Sequence, residues 1–271
     1  MTTKEENGWN RRKVDFDKIH GDNEEAFSFL VNALGLQSGM TIGDFMCGYG
    51  SLSRKVLEHC VKEGHFVRII LSDAYQEQLD RTHIYLAPYE QQGFVIQRHK
   101  QDICSLSLES KIDKAIIKLG LHELRKEQQL SALVNVFDVL KPQGEIYLWE
   151  FLGKTEELTK YFRKVVKEKD RLAGYQSLVE NRYFAHEDEI VANLRSAGFT
   201  DILTVYEGIF LYETATISEA DFSGDKEKLQ SWNNYLRQNL PEHIKRAINF
   251  TERGESISMS FTKKIIKAKK P

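Results

Sequence analysis

The chain is short of the residues that staple or interrupt a fold, with four prolines and three cysteines in 271 residues. The prolines are too scattered to form a Pro-rich linker. Cys47, Cys60 and Cys104 form no CxxC pair and are odd in number, which argues against a disulfide framework and for a reducing, cytoplasmic setting. Net charge is also scarce: 38 Lys and Arg stand against 40 Asp and Glu, a formal −2. No global basic field exists to hold a polyanion, so nucleic acid is not an expected partner. No segment approaches the roughly 18 uninterrupted apolar residues of a membrane span. The opening stretch, MTTKEENGWNRRKVDF, lacks an apolar leader core. GxxxxGK[ST] is missing, which excludes a phosphate-cradling P-loop, and so is HExxH. HEDE at 186–189 reads as the acidic first turn of a helix, and no metal ligand is expected.

Regular alternation is present instead. Hydrophobic residues make up 41% of the chain, enough for a sizeable core. A helix over 24–34 precedes five apolar runs, TIGDF, FVRIILSD, FVIQRHKQD, KIDKAIIKL and GEIYLWEF, with helical segments between them. Strand and helix in alternation predict an α/β fold, a parallel sheet with helices on both faces. EQQLSALVNVFDVLK has Leu130, Leu133, Val134, Phe137 and Leu140 at helical spacing and ends where Pro142 and Gly144 punctuate. EELTKYFRKVVKEKDRL and HEDEIVANLRSAGF are further helices, the second with Gly198 at its C-cap. DILTVYEGIFLYET and ESISMSFTKKIIKAKK read as two more strands around a helical insert, and the lysines of KKIIKAKKP as protection of a terminal edge strand. Residues 1–271 are expected to form one domain, with 1–23 as an N-terminal lid and 152–185 and 218–252 as helical cap or insert regions.

The stretch TIGDFMCGYGSLS, residues 41–53, carries the chemistry. A glycine-rich turn from strand to helix lets backbone approach a ligand, and the helix start offers free N–H groups. Ser53 stands where a dinucleotide fingerprint has its third glycine. Asp44 would sit badly beside a doubly anionic pyrophosphate and well beside a ligand with an ammonium and a sulfonium group. S-adenosylmethionine (SAM) carries both. The stretch resembles motif I of the class I SAM-dependent methyltransferases, (D/E)xGxGxG, with Met46 in place of the first glycine.

Later landmarks follow the same family in order. Asp73 in IILSDAY resembles the acid that takes the ribose hydroxyls, and Asp102 in HKQDICSL the acid near the adenine amine, with Ala74 and Ile103 next to them. KIDKAIIKLGLHEL resembles the fourth-strand motif, and VFDVLKPQGEIYLWEF the helix, turn and fifth strand. The resemblance implies a Rossmann-like, mostly parallel seven-stranded sheet, closest to the ubiquinone/menaquinone and natural-product branch. It implies SAM contacts at Asp44, Met46, Gly48, Gly50, Asp73, Ala74, Asp102, Ile103 and Leu119. The implied activity moves a methyl group from SAM to an O, N or C atom of a small molecule and leaves S-adenosylhomocysteine (SAH).

His122, with Glu123 beside it, is the candidate base, since an unperturbed imidazole titrates near neutrality; the alternative is a packing or cap residue. Candidate substrate residues are Phe16 and His20 in the lid, Trp149 beside Glu150, and Tyr175, Arg182 and Tyr183, where Arg182 would fork onto a carboxylate. Each also has an ordinary structural reading. Two other functions stay open: a scaffold that uses SAM structurally, as a cyclase-like enzyme or binding module, and a nicotinamide-dependent oxidoreductase. Oligomeric state is open between monomer and homodimer.

Overall fold

In a computed structural model the protein is described over residues 24–271, so Phe16, His20 and the expected lid lie outside the described residues. Helix α1 (Glu24–Ala33) leads into β1 (Thr41–Phe45), α2 (Ser51–Glu63), β2 (Arg68–Asp73), α3 (Gln76–Glu90) and β3 (Val95–Lys100). Then come β4 (Ile112–Lys118), α4 (Lys126–Val139), β5 (Leu140–Phe151), α5 (Glu156–Ala173), α6 (Gln176–Asn181), α7 (Glu187–Ser196) and β6 (Thr200–Glu213). The chain finishes through α8 (Thr214–Asp221), α9 (Lys226–Asn239), α10 (Glu242–Ala247), β7 (Thr251–Arg253) and β8 (Ser256–Lys269).

The strand order is β3-β2-β1-β4-β5-β8-β6, and β7 pairs with β8 off that path. The pairs β1–β2, β1–β4, β2–β3 and β4–β5 are all parallel. The seven expected strands are therefore present, and the three-residue β7 adds an eighth among the described residues. Two short helices, α6 and α8, were not legible in the sequence. The second, TATISEAD, is rich in β-branched residues and begins where a strand reading runs on.

Two compact units divide the described residues: 24–150, 187–207 and 264–271 form the first, and 151–186 with 208–263 the second. In the first unit, Ile42, Ile69, Leu71, Ile116, Tyr147 and Trp149 form one buried cluster with Phe27, Leu30, Leu52 and Leu57 of α1 and α2. Full burial of each such aliphatic side chain contributes about 1.5–3 kcal/mol. Helix α2 starts after Gly50 (φ 85°) and stops at Gly64 (φ 71°), whose N–H reaches back to carbonyls of the last turn.

Two local expectations need correction here. The KPQG punctuation lies inside β5: pairing with β4 jumps from Leu140 opposite Ile112 to Glu145 opposite Lys114, and Gln143 takes φ 66° within the irregularity. The terminal lysines do not protect an edge, because β8 lies between β5 and β6. Three of them have partners within the first unit. Lys264 pairs with Glu187 (2.6 Å) and Glu207 (3.2 Å), and Lys267 with Glu145 (2.5 Å). Lys270 donates to the carbonyls of Phe137 and Leu140 at the end of α4.

The second unit has an aromatic core in which Phe162 meets Phe151, Phe184 and Phe261 at ring separations of 4.5–5.2 Å. Thr155 caps α5 by accepting from Leu158 N–H, and Asp225 caps α9 by accepting from Glu227 and Lys228. The expected insert regions 152–185 and 218–252 both fall in this unit.

Candidate active site

Parallel strands carry their carboxyl ends to one edge of the sheet, where ligands of open α/β sheets bind. In the first unit β1, β2, β3 and β4 end there at Phe45, Asp73, Lys100 and Lys118. The loop after β1 turns through three left-handed residues, Met46 (φ 55°), Gly48 (φ 54°) and Gly50 (φ 85°). Met46 thus keeps the backbone conformation that glycine favours, although it carries a side chain. Cys47 N–H donates to Ser72 O at the end of β2, and Gly48 N–H to Asp73 Oδ2 at 2.9 Å. Asp73 Oδ1 accepts from Tyr75 N–H at 2.9 Å, so one carboxylate ties the glycine loop to the start of α3.

Asp44 lies behind this loop, 2% exposed. Ser53 Oγ, in the first turn of α2, donates to its Oδ2 at 2.7 Å. Burial pushes the Asp44 carboxyl up to about 7, against the opposing pull of the Ser53 hydrogen bond and the Lys118 charge. A buried acid poised near neutrality, beside a loop whose glycines leave room for close approach, fits a ligand that brings positive charge. The residues therefore suit the ammonium and sulfonium of SAM, with Asp73 still holding lone pairs for hydroxyl donors.

The remaining cofactor candidates share this edge. Ala74 and Asp102 are exposed. Asp102 caps the 3-10 turn Ile103–Ser105, its Oδ1 accepting from Cys104 N–H at 2.9 Å. Ile103 is buried beneath that turn. Leu119, just past β4, takes φ 52° and donates its N–H to Trp149 O at 2.7 Å.

His122 is buried in the 3-10 turn Leu121–Glu123. Its Nδ1 lies 2.6 Å from Glu150 Oε2 and its Nε2 3.2 Å from Glu123 Oε1, while Glu150 Oε1 accepts from Leu121 N–H at 2.7 Å. Burial alone would lower the imidazole's pKa, but the Glu150 charge and the hydrogen bonds to Glu123 and Glu150 outweigh it and hold the ring up at about 9. The two carboxylates thus hold the ring above the near-neutral range of an unperturbed imidazole. At neutral pH the ring is an imidazolium with both N–H groups directed at carboxylates. Glu150, a lone acid in the apolar run IYLWEF, is the partner that sequence reasoning passed over; its isolation there was the available signal. Ser53 was noted only as a missing glycine.

The acceptor-side candidates divide between the units. Trp149 is buried in the first, with Phe27 edge-on at 5.0 Å. Tyr175, Arg182 and Tyr183 belong to the second. Arg182 gives Nη1 to Asp170 at 2.9 Å, Tyr175 OH reaches Asp221 O at 3.4 Å, and Arg163 stacks 4.2 Å from the centre of the Tyr183 ring. Arg182 thus pairs with a carboxylate of the protein itself. Among the described residues no group of three or more His, Cys, Asp and Glu is placed to hold a metal ion, and no helix is long and apolar enough to cross a membrane.

Comparison with known proteins bears on the same residues. Residues 42–144 match a family described as a methyltransferase domain. A protein of Rickettsia prowazekii (strain Madrid E), RP459, provisionally named a methyltransferase, is 29% identical over 144 residues, 52% of this chain and 62% of the relative. The match therefore spans less than two thirds of that protein. Among solved structures, the YcgJ protein of Bacillus subtilis aligns with a TM-score of 0.75 at 12% identity, over 92% of this chain and 99% of that one. The N-methyltransferase NodS of Bradyrhizobium japonicum WM9, in complex with SAH, aligns with a TM-score of 0.56 at 12% identity over 97% of both chains. At such identities the structures show a common fold. Residues 42–144 match a methyltransferase domain and carry the motif residues to one sheet edge, so what this stretch of the chain is similar to is a SAM-dependent methyltransferase of class I.

Proposed function

We propose that this protein transfers the methyl group of SAM to an O, N or C atom of a small molecule in the cytoplasm. The observation that carries the proposal is Asp44, a buried carboxylate held by Ser53 against a left-handed glycine loop, where a cationic ligand would meet it. Asp44 and the loop N–H groups would take the amino-acid end of SAM, Asp73 the ribose hydroxyls, and Asp102 with the Ile103 N–H the adenine. SAM supplies an electrophilic methyl group on a sulfonium leaving group. The chain's part is alignment and exclusion of water, and positioning alone can supply about 7–11 kcal/mol.

His122 enters as a fixed cation that shapes the acceptor side through Glu123 and Glu150; a nucleophile that needs no strong base suits it. Balanced overall charge favours a small acceptor over a polyanion. Trp149 is committed to the core of the first unit, and Tyr175 and Arg182 to internal partners of the second.

Isothermal titration of SAM and SAH, followed by methyl-labelled SAM with a panel of small acceptors, tests the proposal. Binding plus label in an acceptor supports it. Binding without transfer across the panel points to the scaffold reading, and a melting temperature raised by NAD(H) but not by SAM would overturn it.

A further inference from the structure

On the reading that SAM occupies this edge, we infer that Met46 and Gly120 form one coupled element that sets the spacing between the cofactor loop and the turn carrying His122. The two loops leave adjacent parallel strands, with Phe45 of β1 opposite Ile117 of β4. Met46 sits one residue past the first and Gly120 two residues past the second. A Cβ built on Gly120 would lie 2.8 Å from Met46 Cβ and 3.1 Å from its Sδ.

Gly120 has φ −116°, a conformation open to any residue, so it is not glycine for backbone reasons. It is glycine because Met46 fills the space. The obstruction is the Cβ of Met46, which the backbone fixes and no rotamer change can swing aside. Met46 in turn is held at φ 55°, an uncommon state for a residue with a side chain. Gly120 O begins the 3-10 turn by accepting from Glu123 N–H at 2.9 Å. Any shift at 120 is therefore passed to His122 and Glu123. The room that the family's first loop glycine gives is supplied here from the opposite loop, with the methionine side chain turned into it.

Strong non-additivity is expected, because the two closest atoms to a Cβ at 120 both belong to Met46. In Met46→Gly the nearest remaining neighbour of an alanine Cβ at 120 is Ile117 Cγ2 at 3.4 Å, ordinary contact. SAH affinity is measured for the wild type, Gly120→Ala, Met46→Gly and the double variant, with the imidazole NMR resonances of His122 alongside. In the wild-type background Gly120→Ala should weaken SAH binding about tenfold or more and displace the His122 resonances, while in the Met46→Gly background the same change should alter SAH affinity by no more than about threefold, whatever Met46→Gly does by itself. The His122 resonances of the double variant should lie near those of Met46→Gly.

An equal loss from Gly120→Ala in both backgrounds would overturn the inference, as would wild-type binding by Gly120→Ala. If Gly120→Ala does not fold, a folded, SAH-binding double variant sustains the coupling and an unfolded one overturns it. A wild type that binds no SAH strikes at the proposed function instead. The coupling is then read from melting temperatures and His122 resonances, where additivity would overturn it.

Discussion

Buried charge occurs in both units, and the two instances differ in how the charge is matched. In the second unit Lys169 Nζ lies 2.6 Å from Asp170 Oδ1 and 2.5 Å from Asp221 Oδ2, and Arg182 takes the other oxygen of Asp170. Two cations face two carboxylates, and the side chains come from α5, the residue after α6 and the end of α8. In the first unit one imidazole faces two carboxylates, and Asp44 is held by the hydroxyl and the backbone of Ser53 with the Lys118 charge nearby. Burial alone therefore does not mark a site. What separates the first unit is that Asp44 and Glu150 lie near strand carboxyl ends, Asp44 directly before the glycine loop.

The comparison breaks most readily in the second unit. Asp170→Ala strands Lys169 and Arg182 and should cost about 3–5 kcal/mol, read by chemical denaturation. SAH affinity of the folded fraction should not change. A stability loss below about 1 kcal/mol would mean that the cluster is not a structural ion network.

Asp44→Asn should keep the fold and weaken SAM binding by about 1.5–3 kcal/mol, roughly 10- to 150-fold by titration. Its pH dependence sharpens the contrast. The folded carboxyl titrates near 7 against 3.8 in a free chain, so between those values the folded protein holds a proton that the unfolded chain releases. Stability should fall as pH rises through this window. Affinity for a cationic ligand should rise through about pH 7 as the carboxylate forms, and Asp44→Asn should flatten both slopes.

The sign is the same at His122, in a higher pH window. Its folded pKa is raised to about 9 from 6.5, so its stabilising contribution is complete below about pH 6.5 and is lost as pH rises through 9. Glu150→Gln should move the imidazole's NMR midpoint down toward the ordinary value and weaken that alkaline loss. An unmoved midpoint would remove Glu150 as the partner that holds the charge. The smallest change is expected for Ser53→Ala, about 1 kcal/mol in SAM affinity. The pH midpoint of binding should also rise, because the hydroxyl that favours the ionised Asp44 is gone.

The order of strands and helices was legible because apolar runs alternate with helical patterns, and the glycine loop because its acid and glycines are adjacent in sequence. Asp73 and Asp102 were legible as acids at strand ends. Their actual bonds, to Gly48 and Tyr75 in one case and to Cys104 in the other, depend on where the backbone of a different segment passes. His122 was found, but its charge was not, since the carboxylate that sets it lies 28 residues away on β5. The terminal lysines were misjudged for a similar reason: strand order is a non-local property, and β8 takes an interior place.

The sequence by itself determined the α/β alternation, the cofactor loop and the resemblance to a methyltransferase domain, because those depend on local periodicity and on residues close together in the chain. Tertiary structure decided that His122 is a buried cation, that Arg182 serves an internal ion cluster, and that Met46 is tolerated because Gly120 makes room for it. Each of these rests on the distance between side chains from separate elements, and packing across elements fixes such distances.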